Sequence, residues 1–108
     1  MSAKAKQKAI ADLIMQFADN QDKDSLTVIC NKIISEVASI PTPDNFNFFK
    51  TATAAALREE FAKFTDAKSA IEPTTQDKWN LHDAKTQLGY IMAMMVIPLI
   101  KESYPAGS

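Results

Sequence analysis

Tyr90–Ile100 reads YIMAMMVIPLI, eleven consecutive residues without a charge, three of them methionine and one of them proline. The uncharged run around it, Thr86–Ile100, has fifteen residues and includes Gln87, Gly89 and Pro98. A helix that crosses a bilayer needs about 20 predominantly apolar residues. No membrane span is expected here, so the stretch must be covered by protein. Working back from it, TTQD at Thr74–Asp77 has the spacing of a capping box, a threonine with an acidic residue three positions on. The expected helix runs from about Thr75 to Ile97, bends at Pro98 and continues to Glu102. Proline has no N–H to donate and crowds the carbonyl of Met94.

Three more helices are expected upstream. Ile10, Leu13, Ile14 and Phe17 follow the i, i+3, i+4, i+7 spacing of a buried stripe over Ala3–Ala18, leaving Lys4, Lys8 and Asp12 for the wet side. The acidic turn Asp19–Ser25 follows, with Asp22 or Asp24 as N-cap. Leu26, Ile29, Cys30, Ile33, Val37 and Ile40 mark one face of a second helix over Ser25–Ser39, with Ile34 off that face. Pro41 and Pro43 end it. The third helix is expected over Asn45–Ile71, capped by Asp44, with an interruption at Thr65 and Asp66. Its stripe collects Phe46, Phe49, Thr53, Leu57, Phe61, Phe64 and Ile71. No period-two alternation suggests strands. The fold class is therefore all-α, a compact four-helix or slightly broken five-helix bundle with antiparallel neighbours joined by short loops. A single domain is expected over residues 1–104, with a disordered tail over residues 105–108.

Composition narrows the function by exclusion. Twelve Lys and Arg against thirteen Asp and Glu give a formal charge of −1, and Arg58 is the sole arginine. That is a poor set for phosphate and base recognition, so no nucleic-acid partner is expected. Cys30 is the only cysteine, which fits a reducing compartment and leaves no disulfide within the chain. Lys4, Lys6 and Lys8 precede an apolar run broken by Asp12, so no secretory leader is read and a cytoplasmic location is expected.

Catalytic inventory is thin. His82 is the only histidine and lies beside Asp83, a dipeptide that metal-dependent hydrolases use only with further histidines. Cys30 sits on an apolar stripe, where a thiol acts as a small hydrophobe. The acidic turn lacks the glycine and the distal glutamate of a calcium loop. Glu59 is spaced to pair with Lys63 as surface support. No catalytic residue, metal site or cofactor is assigned.

Placing residues about 100° apart divides the fourth helix into two apolar sets. Leu81, Ala84, Leu88, Ile91, Met92, Met95 and Leu99 form the face expected to join the bundle. Trp79, Thr86, Tyr90, Ala93 and Ile97 lie almost opposite, flanked by Met94 and Ile100. Three coverings are open: the other helices, a second copy, or a groove for a partner protein or apolar ligand. The leading expectation is a non-catalytic protein-binding module of inhibitor, immunity or adaptor type, forming a homodimer through Trp79, Tyr90, Ala93, Met94, Ile97 and Ile100. The alternative is a carrier or sensor of a small apolar ligand held by Phe61, Phe64, Met92 and Met95.

Overall fold

In the computed structural model, which describes residues 2–105, the chain forms α1 (Ala3–Ala18), α2 (Lys23–Ala38), α3 (Asn47–Lys68) and a last helix in three parts. Those parts are α4 (Thr75–Ile91), a π-helical turn (Met92–Val96) and α5 (Ile97–Ser103). The dihedral angles stay helical across both junctions, so the three parts make one rod. A 3₁₀ turn, Asp44–Phe46, leads into α3. The described residues contain no strand, and the helices form a bundle measuring 46 × 22 × 18 Å. Of the tail expected to be disordered, residues 106–108 lie outside the described residues.

Local chemistry sets the helix starts. Ser2 Oγ accepts from the Ala5 N–H, and Asp22 Oδ2 accepts from both the N–H and the hydroxyl of Ser25. Those bonds hold the Asp22 carboxyl below its ordinary pKa, the backbone N–H of Ser25 contributing most. The capping box at Thr74 and Asp77 is complete: each side chain accepts from the other's backbone N–H, at 3.1 and 2.9 Å. Asp44, expected to cap α3, instead lies within the 3₁₀ turn, and α3 has no side-chain cap.

Lysines close helix ends that glycine often closes elsewhere. Lys68 Nζ donates to the carbonyls of Phe17 and Ala18 at 2.6 and 2.7 Å and lies 5.1 Å from the Phe17 ring centre. Burial lowers its pKa. Lys6, one of the three lysines that the sequence does not read as a leader, is buried against α2 and spends three donors there. They go to the Glu36 carbonyl, the Glu36 carboxylate and Ser39 Oγ, at 2.9, 2.8 and 2.7 Å. Lys50 donates to the Ile40 carbonyl just beyond α2.

The chain order places α2 between α1 and α3, and α3 between α2 and α4. That order explains why Ile34, expected off the buried face, is buried with Leu26, Ile33 and Val37: α2 has neighbours on two sides. Neither Thr65 nor Asp66 interrupts α3; Thr65 is buried with its hydroxyl 3.5 Å from Cys30 Sγ. Helix α3 stops at Lys68, so Ile71, expected on its stripe, stands in the loop at 97% exposure. Phe17 packs its ring on Phe61 and Phe64, with centroids 5.6 and 5.1 Å apart, and joins α1 to the aromatic part of the core.

Candidate binding surfaces on the last helix

The π turn decides which residues of the last helix point inward. It takes up one residue more per turn than an α-helix would, and the Ile97 N–H reaches back five positions to the Met92 carbonyl. The wider turn stands directly before Pro98, where a regular α-helix would force the ring against the Met94 carbonyl. Buried positions run Ala84, Ile91, Val96, Leu99 and Ile100, with a five-residue step across the turn. Each residue after the turn therefore takes the angular place its predecessor would have held in an uninterrupted α-helix.

Ile100 is the correction that follows. The uniform wheel puts it on the flank of the outer face, whereas in the structure it is 1% exposed and belongs to the core with Leu99 and Val96. The other expected surface residues remain uncovered by the chain. Trp79 is 65% exposed, Tyr90 60%, Met94 56% and Ile97 39%, and Ala93 is exposed beside them. Along Thr75–Ile91 only Ala84 and Ile91 are buried, because α3 is this segment's main neighbour. Lys63 of α3, expected to pair with Glu59, instead reaches across to α4: its Nζ bonds Asp83 and lies 3.6 Å from Glu60, and the bond to Asp83 raises the lysine's pKa.

A second surface lies on another side of the same helix. Helix α1 meets the rod at α5 but stands away from α4, and the gap is a groove of about 890 Å³ floored by α3. Phe61, Phe64 and Met92, three of the four residues expected around an apolar ligand, line it; Met95 instead packs against the core. Sequence reasoning missed several others. Ile14, expected to be buried, is an exposed groove wall, and Lys78, Lys85 and Gly89 of α4 also face the groove. Their spacing in the sequence signals a helix side, but it does not say that α1 would leave that side open.

The catalytic candidates stay apart from these surfaces. Cys30 is buried between α2 and α3, where burial raises its thiol pKa, and His82 is exposed on α4. Among the described residues no three His, Cys, Asp or Glu side chains cluster to hold a metal ion, and no helix is long and apolar enough to cross a membrane. Comparison with protein-family models, with curated proteins and with solved structures found no match.

Proposed function

We propose that this chain is a non-catalytic binding module of inhibitor, immunity or adaptor type that pairs with a second copy of itself through the outer face of the last helix. The observation that carries this reading is the row Trp79, Tyr90 and Met94, each a large apolar side chain left exposed on one helix, with Ile97, turned by the π turn toward the edge of that face, 39% exposed beside it. Interface centres are enriched in such aromatic and Met anchors. The row suits self-pairing because Trp79 stands at one end and Met94 and Ile97 at the other, with Tyr90 near the middle. An antiparallel pair around a two-fold axis sets Trp79 of each copy near Ile97 of the other. The nearest carboxylate, Asp83, is already held by Lys63 and asks for no cation across the interface. The non-catalytic part of the reading rests on inventory, an exposed His82 and a buried Cys30 on different helices. A single buried cysteine suits a reducing compartment such as the cytoplasm.

Light scattering over a range of concentrations tests the pairing. The expected mass is twice the 11.9 kDa of the chain, falling to one chain for Tyr90→Lys with Met94→Glu. A wild-type protein that stays at one chain's mass at high concentration overturns the pairing.

A further inference from the structure

The groove between α1 and α4 is apolar along its length, and charged side chains join it toward one end. Antiparallel α1 and α4 place Ile14, Phe61, Leu88 and Met92 toward the end where the rod closes on α1; toward the open mouth the apolar lining continues through Ala70, Ile71 and Pro73 and is joined by Gln21, Lys68, Asp77 and Lys78, with Lys85 between. Its charges are unevenly committed. The Asp77 carboxylate is already engaged by the Thr74 N–H, and Lys68 spends two donors on α1. The side chains of Lys78 and Lys85 have no hydrogen-bond or ion-pair partner among the described residues. The α4 wall thus presents two unpaired positive charges, Lys78 at the mouth and Lys85 further in, beside an apolar trough.

Gly89 adds an independent observation. Glycine inside a helix is destabilising relative to alanine, and a close neighbour is the usual reason to keep one. Here a Cβ added at Gly89 would meet nothing within 4 Å, so no packed helix demands the missing side chain. What its absence leaves is room in the groove wall.

We propose that this groove binds one long-chain carboxylate, its tail lying over Phe61 toward Leu88 and Met92 and its head group held by Lys78 and Lys85. The dimensions agree. Leu81 to Met92 spans about 16 Å at about 1.5 Å per residue, close to the acyl depth of one bilayer leaflet, about half of a 30 Å core. A groove of about 890 Å³ also falls within the ordinary range of small-molecule sites. An acidic amphipathic helix is the rival occupant, and the parallel peptide titration sets it directly against the carboxylate. The proposal stands apart from pairing through Trp79 and Tyr90, which do not line the groove.

Calorimetric titration with oleate, kept below its aggregation concentration, tests the assignment, with oleyl alcohol and an acidic amphipathic peptide as parallel ligands. Saturable binding of one oleate per chain is expected. Gly89→Leu, whose Cβ enters open space and whose longer side chain fills the wall, should weaken it by about tenfold or more, while Gly89→Ala keeps affinity within about twofold. Replacing Lys78 and Lys85 together with alanine should weaken oleate by about fivefold and leave oleyl alcohol unchanged. Circular dichroism and thermal melts on each variant separate groove filling from unfolding. The proposal is overturned by absence of saturable oleate binding, by wild-type affinity in Gly89→Leu, or by equal losses for oleate and alcohol in the lysine variant. It is equally overturned if the peptide alone saturates and Gly89→Leu abolishes that binding.

Discussion

Helices α2 and α4 are nearly the same length, 16 and 17 residues, yet α2 buries six apolar side chains and α4 buries two. The difference is one of position as much as of composition. Helix α2 lies between α1 and α3 and is covered on two sides, so even Ile34, off its main stripe, is buried. Helix α4 packs chiefly on α3, with a groove on one flank and solvent on the outer side. Apolar residues on α2 therefore hold the fold together, whereas those on α4 outside the α3 contact remain free to bind something else.

The sharpest way to break this contrast is to truncate α2. Ile33 is fully buried, and Ile33→Ala should cost about 2–5 kcal/mol in urea unfolding through lost transfer energy and the cavity left behind. A cost under 1 kcal/mol would mean that α2 is far less tightly packed than its burial implies. Next comes the lysine that ties the start of α1 to the end of α2. Lys6→Met keeps most of the stem's packing but removes three hydrogen bonds, and should cost about 1–3 kcal/mol by the same measurement.

On α4 the sign reverses. Gly89→Ala should stabilise the protein by up to about 1 kcal/mol, because the added methyl group meets no neighbour and the helix loses its most flexible residue. The smallest effect is expected on the outer face, where Trp79→Ala should change stability of the isolated chain by no more than about 0.5 kcal/mol. Measured at a concentration where only single chains are present, a larger loss would show that Trp79 is covered within the chain.

Acid acts on the start of α2. Asp22 has its pKa lowered in the folded state, so its capping of α2 contributes fully above the unfolded carboxyl's pKa and is lost as pH falls through the lower folded value. The start of α2 should loosen below about pH 4, seen as faster amide exchange at Ser25 and Leu26. Asp22→Asn, which keeps an oxygen acceptor but cannot titrate, should remove that acid dependence.

Much of the fold is legible in the residues themselves. Periodicity locates all four helices, the prolines and the Thr74 capping box mark the last two boundaries, and the Phe-rich stripe of α3 identifies the aromatic core. The buried role of Lys6 is not legible, because an isolated lysine reads as solvated until Glu36 and Ser39 are brought around it from another helix. Nor is the inward turn of Ile100. A single π turn before Pro98 shifts the phase of everything after it, and a wheel with a constant step cannot contain that shift.

The sequence by itself determined that this is a helical bundle with few catalytic groups and with a last helix too apolar for one buried face. That much follows from local periodicity, capping and inventory, which depend on neighbours a few residues away. Only the tertiary structure decided that α1 closes on α5 yet leaves α4, that the gap is floored by Phe61 and Phe64, and that Lys78 and Lys85 stand unpaired beside it. Whether an apolar face becomes core or binding surface depends on which helices reach it. Helix lengths and a one-residue change of phase set that reach, and neither is encoded in the face itself.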